Sequence, residues 1–283
     1  MMQTGTDKST LKGYLRLFRL GNCAMAALGA LLAAIVCVGL DGLGDFAFQI
    51  AFSMAIVIAF TAAGNGYNDY FDREVDRKAH PERPIPSGTV TPYGAALASV
   101  VLFAVAAALS FFVTLWSVAI VVTSVLVMVG YEKFLKAEGL GGNLAISWLT
   151  GALFLFGGAA VDSLELAWIL AALAFLATLG REIVKDIQDI EGDRGSRLTL
   201  PMRIGVRNAG FVGSAAFVAA AILSPLPYLL DLLSVWYVPA VIVADAIFIY
   251  CALIHFQSPK KGQKVAKLAM FVALIAFLLG GVL

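Results

Sequence analysis

The sequence predicts an all-α membrane protein, a bundle of nine transmembrane helices forming one domain over residues 1–283. Three observations predict it. Of 283 residues, 60% are hydrophobic and 14% charged, against about 45–50% and about 25% in soluble domains. The charge-free runs are long enough to cross a hydrocarbon core, which takes about 20 apolar helical residues. Finally, all 20 Lys and Arg residues fall on one side of a nine-span topology.

The spans follow from that length rule in order. Charge-free runs at 20–40 and 46–68 make the first two. The run from 84 to 131 is too long for one crossing and folds back between Ser110 and Ser117, giving spans at 95–111 and 114–134. The fifth lies at 139–161, and the rest at 166–187, 208–230, 234–256 and 265–283. Pro225, Pro227 and Pro239 are expected to shape the seventh turn and a kink beyond it. The small-residue stretches 24–34 and 149–160 suit close helix packing.

Basic residues gather before span 1 and after spans 2, 4, 6 and 8, whereas the opposite loops carry only Asp41, Asp45, Asp162, Glu165 and Asp231. The positive-inside rule therefore puts the N-terminus and the basic loops in the cytoplasm and the C-terminus outside, in a multi-pass cell-membrane protein. Trp116, Trp168, Trp236 and Tyr237 near the outer ends fit an interfacial belt. The formal charge of +1 argues against a nucleic-acid partner. Cys23, Cys37 and Cys251 stand apart in apolar stretches, which suggests neither a disulfide framework nor a zinc site. No cleavable signal peptide is expected.

The chemistry lies in two acidic groups. Asp69, Asp72 and Asp76 follow span 2, and Asp186, Asp189 and Asp193 follow span 6, each at i, i+3 and i+7 with an Arg one residue beyond. On a helix these positions fall within an arc of about 60°, so each triplet predicts one acidic stripe. Stacked carboxylates beside lipid repel unless a cation compensates them. Oxygen-only ligands favour Mg²⁺, which keeps waters and bridges to phosphates, so the pattern implies a phosphorylated ligand. Arg73, Arg77, Lys185 and Arg194, interleaved among the acids, suit a diphosphate. A diphosphate ester clamped in this way can release its carbon chain as a carbocation.

These residues, read as Asn68-Asp69-x-x-Asp72-x-x-x-Asp76 and Asp186-x-x-Asp189-x-x-x-Asp193, resemble the two signatures of the UbiA superfamily of intramembrane prenyltransferases. The resemblance covers nearly the whole chain. It implies nine helices around a central cavity open sideways to lipid, and Mg²⁺-dependent transfer of an isoprenyl chain from its diphosphate to an acceptor. The stretches at 68–77, 83–88, 142–160, 181–194 and 199–201 are most similar to the branch that builds archaeal ether lipids, with geranylgeranyl diphosphate as donor and a lipid-like glyceryl phosphate as acceptor.

The resemblance also implies roles. Asn68, Asp72, Asp76, Asp186, Asp189 and Asp193 would hold Mg²⁺. Asp69 would be a ligand, an orienter of basic neighbours or the proton acceptor, so the catalytic set is Asp69, Asp72, Asp76, Asp189 and Asp193. Arg73, Lys133, Lys136 and Arg194 would contact the diphosphate, and Tyr131 either screens the allylic cation or is an interfacial tyrosine. Arg19 and Asn22 would serve the acceptor side, with Arg19, Arg83 or Lys185 on its phosphate. Asp245, His80 and His255 stand outside the site, and 83–88 with Gly141-Gly142 are candidate capping loops. Two alternatives remain open: an aromatic quinone precursor as acceptor, and a transporter of divalent cations or phosphorylated solutes.

Overall fold

The computed structural model describes residues 4–194 and 197–283, with the side chains of 4–9 left aside. Thirteen α-helices follow one another: α1 (Thr4–Leu17), α2 (Leu20–Val38), α3 (Ala47–Ala79), α4 (Pro92–Ser110), α5 (Leu115–Lys133), α6 (Leu140–Ala160), α7 (Leu164–Gln188), α8 (Ile190–Asp193), α9 (Leu200–Ile204), α10 (Val206–Leu223), α11 (Leu226–Leu229), α12 (Tyr237–Ile254) and α13 (Pro259–Val282). Among the described residues nine stretches are long and apolar enough to cross a membrane, α10 and α11 counting as one. The protein is a multi-pass membrane protein, and every expected span has its helix.

Local chemistry sets the boundaries. Thr91 caps α4 by accepting from Gly94 N, with Pro92 in the first turn, and Thr114 caps α5 by accepting from Ser117 N at 3.1 Å. Both use a side-chain oxygen to satisfy a helix N–H that has no internal partner. The fold-back between α4 and α5 is therefore the short turn 111–114. Ser258 and Pro259 start α13 in the same manner, six residues before the expected point, so Lys260, Lys261 and Lys264 are helical. Pro225 and Pro227 shape the turn after α10, whereas Pro239 lies in the first turn of α12, where its ring is tolerated. Trp116, Trp168 and Trp236 are exposed, but Tyr237 is buried and donates to Ser224 O at 2.7 Å, so it is a core residue and no part of a belt.

Small residues let the backbones approach. Ala27, Ala30, Ala33 and Ala34 bury one face of α2. A Cβ on Gly157 of α6 would sit 2.8 Å from Ala30 O, closer than any real Cβ contact. Branched aliphatic residues such as Val100, Val101, Leu126, Ile242 and Leu253 face outward, as expected where the solvent is lipid.

Two features position the site. At about 1.5 Å per residue, the 33 residues of α3 reach about 50 Å against a hydrocarbon core of about 30 Å. Its acidic end therefore projects past the apolar layer. The α5–α6 connection packs against residues 198–200: Leu198 N donates to Ala137 O, and Gly139, at φ 65°, leaves no room for a Cβ beside Leu200 N.

Candidate active site

Motif one stays helical, because α3 runs on to Ala79. Asn68, Asp72 and Asp76 occur every fourth residue and share a face, within about 80° of arc. Lys136 donates to both Asp72 oxygens at 2.7 Å and to Glu132 Oε2 at 3.1 Å. Glu132 Oε1 accepts from Asn68 Nδ2 at 2.7 Å. Arg83 reaches Asp76 at 2.5 Å and stands 3.8 Å from Asp69. Arg73 lies 4.6 Å from the Tyr70 ring and donates to Tyr70 O.

Asp69 lies about 20° round α3 from Asp76, at the edge of the same face. It is 3% exposed and takes a 2.5 Å bond from Arg19, and it lines neither polar cavity of the site. Its Oδ1 accepts from Arg19 and stands 3.8 Å from Arg83, so two basic side chains converge on it. Because α3 is unbroken here, Asp69, Asp72 and Asp76 keep the i, i+3, i+7 stripe that their spacing predicts, although Asp69 pairs with Arg19 and not with Lys136.

Motif two is not one helix. The α7 helix stops at Gln188; Asp189 sits at φ −95° and ψ 6°, and α8 restarts at Ile190. Asp186 is buried and accepts from Asn143 Nδ2 at 3.0 Å. Asp189 accepts from Gln188, and Asp193 meets Arg197 at 3.4 Å. The matching spacing of the two motifs therefore conceals different backbones, and the second triplet does not form the single helical stripe that its spacing predicts. Arg194, at φ −57° and ψ 124°, ends the short α8.

Two polar cavities border these groups. One of about 360 Å³ is lined by Tyr131, Lys136, Asn143, Glu182, Asp186 and Arg197 among others. The other, of about 900 Å³, takes in Asp72, Asp76, Arg83, Glu132, Lys133 and Arg197. Lys136 and Arg197 line both, so two cations stand between the motifs. The Tyr131 ring lies 5.9 Å from Lys136 Nζ, and Lys185 lines the smaller cavity 3.6 Å from Glu182. Arg194 is exposed and pairs with Glu191, and Asn22 is exposed on the first turn of α2.

Among the described residues no three carboxylates, histidines or cysteines converge closely enough to hold an ion unaided. The donors nevertheless fit Mg²⁺, a hard ion that needs only one or two protein carboxylates and completes its shell with water and phosphate oxygens. Sequence reasoning missed Glu132, Asn143, Glu182 and Arg197 as site members, and it put His80 outside the site although His80 lines the larger cavity beside Asp76. The signal for Glu132 was an acid at the end of an otherwise apolar span. Asp245 stays outside the site as expected: Ser224 Oγ donates to it at 2.6 Å, beside an apolar cavity of about 870 Å³.

Residues 24–275 match the UbiA prenyltransferase family, and the chain belongs to it. It is an enzyme of the prenyltransferase class, which removes the transporter alternative. The chain is 40% identical over 272 residues to digeranylgeranylglyceryl phosphate synthase of Natronomonas pharaonis, covering 95% of this chain and 97% of that one. It is 37% identical over 273 residues to the enzyme of that name from Methanothermobacter thermautotrophicus, covering 94% and 95%. A solved structure of a digeranylgeranylglyceryl phosphate synthase in membranes superposes with a TM-score of 0.90 at 33% identity, covering 96% of this chain and 99% of that one. A UbiA homolog from Archaeoglobus fulgidus, bound to GPP and Mg²⁺, shares the fold with a TM-score of 0.65 at 15% identity, covering 95% and 98%.

Proposed function

We propose that this protein transfers a geranylgeranyl group from geranylgeranyl diphosphate to the free hydroxyl of geranylgeranylglyceryl phosphate, using Mg²⁺, in archaeal ether-lipid synthesis. The observation that carries the reaction type is the pair of cations, Lys136 and Arg197, shared by cavities that border both carboxylate motifs. A diphosphate between the motifs would meet positive charge at its centre and carboxylate-held metal at its flanks. The acceptor rests on the near-full-length relatives named above, and metal use is supported by the homolog bound to GPP and Mg²⁺.

In this reading Asn68, Asp72, Asp76, Asp186, Asp189 and Asp193 hold the metal. Bound Mg²⁺ would neutralise charge that builds on the departing diphosphate. Lys136 and Arg197, joined by Lys133, Lys185, Arg73 and Arg194 at the rims, hold the diphosphate oxygens as the carbon–oxygen bond breaks. Tyr131 offers its ring face to the allylic cation. Asp69 serves through Arg19 and Arg83, which are candidates for the acceptor phosphate together with Asn22. The acceptor hydroxyl forms the new ether bond and loses its proton to the released diphosphate. Apolar walls exclude water that would quench the cation. The site faces the cytoplasm, because the basic loops that surround it lie on that side.

The test supplies purified protein with geranylgeranyl diphosphate, geranylgeranylglyceryl phosphate and dihydroxynaphthoate in competition, and identifies products by mass. The expected product is digeranylgeranylglyceryl phosphate, formed with Mg²⁺ and lost on chelation. Asp72→Ala and Asp189→Ala should each abolish it. A prenylated aromatic as the main product would overturn the acceptor assignment.

A further inference from the structure

Glu132 belongs to neither aspartate motif, yet it is the most enclosed acid of the site. Its side chain has 0% exposure at the cytoplasmic end of α5. A buried carboxylate needs charge and hydrogen bonds around it, and both of its partners belong to the site. Oε1 accepts from Asn68 Nδ2 at 2.7 Å, and Oε2 accepts from Lys136 Nζ at 3.1 Å. Lys136 gives its other two hydrogens to the two Asp72 oxygens. An ammonium has three donors, so all three are used.

Each contact has a consequence. A carboxylate takes only a donor, so Glu132 decides which end of the Asn68 amide faces it. The N–H side is spent there, and the carbonyl oxygen, the only atom of the amide that a hard cation accepts, is left for the metal face beside Asp72. Lys136, meanwhile, covers the two Asp72 oxygens that a metal would need. The ammonium and the metal compete for one carboxylate, and Lys136 lines both polar cavities.

Resting on the magnesium-dependent reading above, we propose that Glu132 is a positioning residue of the metal site. It aims the Asn68 oxygen at the metal face and tethers Lys136 against Asp72, where the ammonium and a metal ion compete for one carboxylate. Residues in contact with one another then have opposite effects. Removing Glu132 weakens metal binding, and removing Lys136 strengthens it.

The experiment measures Mn²⁺ binding to purified protein without donor by electron paramagnetic resonance, then binding of inorganic pyrophosphate to the Mn²⁺-loaded protein by calorimetry. Glu132→Ala should weaken Mn²⁺ binding by about 10–100-fold, the effect usual for a group that orients a metal ligand. Glu132→Gln retains an acceptor for Asn68 and should stay much nearer the wild type. Lys136→Met should bind Mn²⁺ about 5-fold tighter or more, while its Mn²⁺ form binds pyrophosphate more weakly than the wild type. Thermal melting identifies a variant that fails to fold; if Glu132→Ala is one, Glu132→Gln and Lys136→Met carry the test. Mn²⁺ affinity that is unchanged in Glu132→Ala, or reduced in Lys136→Met, would overturn the proposal alone. No Mn²⁺ binding by the wild type would overturn the metal reading and this inference with it.

Discussion

Arg19 joins α1 to α2 at φ 50° and ψ 63°, the left-handed region that a residue with a Cβ adopts only when its surroundings hold it there. The 2.5 Å bond to buried Asp69 is one such restraint. Removing either partner leaves the other without its opposite charge, at a cost of about 1–3 kcal/mol. Arg19→Ala and Asp69→Asn should each lower the melting midpoint, and the double variant should lose less than the sum by about 0.5–3 kcal/mol. Additive losses in a double-mutant cycle would show that the pair is not coupled. Asp69 illustrates what one-dimensional spacing conceals. Its place in the motif was legible, but the two arginines that approach it lie 50 and 14 positions away.

Among the helices, close approach separates two glycines that look alike in sequence. A Cβ on Gly151 of α6 would stand 2.7 Å from the Ala171 carbonyl of α7, a backbone atom that cannot rotate aside, whereas one on Gly130 of α5 meets nothing within 4 Å. Gly151→Ala should destabilise by about 1–3 kcal/mol through overpacking. Gly130→Ala should be neutral or stabilising by up to about 1 kcal/mol through helix propensity. Thermal melts in one detergent compare them; equal effects would contradict the packing described.

His255 sets a pH response at the same scale. It is 1% exposed just beyond α12 and bonds Ser214 of α10 at 2.8 Å. Burial lowers its pKa from the ordinary value near 6.5. The folded protein therefore binds this proton less readily than the unfolded chain. Above about pH 6.5 the group is neutral in both states and stability is unaffected by it; as pH falls below that value, stability is lost until the lowered folded pKa is passed. His255→Gln should flatten the part of a melting-temperature profile that declines toward about pH 5, and an unchanged profile would refute the assignment.

For the whole molecule, the distribution of charge predicts an orientation. The positive-inside rule expects the basic loops in the cytoplasm, so Lys78→Cys should resist a membrane-impermeant thiol reagent in intact cells and react after lysis, whereas Asp45→Cys on the opposite side should react in intact cells. Reversed labelling would invert the topology. The span count was legible because lipid demands runs of about 20 apolar residues and leaves backbone groups no alternative to helix. The break between α7 and α8 was not, because Asp186, Asp189 and Asp193 keep helical spacing in sequence although the helix ends at Gln188.

The amino-acid sequence alone determined that the chain is a multi-pass membrane protein, with nine helices among the described residues long and apolar enough to span, and that two oxygen-rich motifs beside basic residues follow the second and sixth of them. Hydropathy and charge are read residue by residue, so no tertiary contact is needed to see them. Only the tertiary structure decided which cation meets which carboxylate. Glu132 and Lys136 act on Asn68 and Asp72 from 64 positions away, and Asn143 acts on Asp186 from 43. Such pairings depend on the packing of α3, α5, α6 and α7, in which directional hydrogen bonds between distant side chains have no local signature.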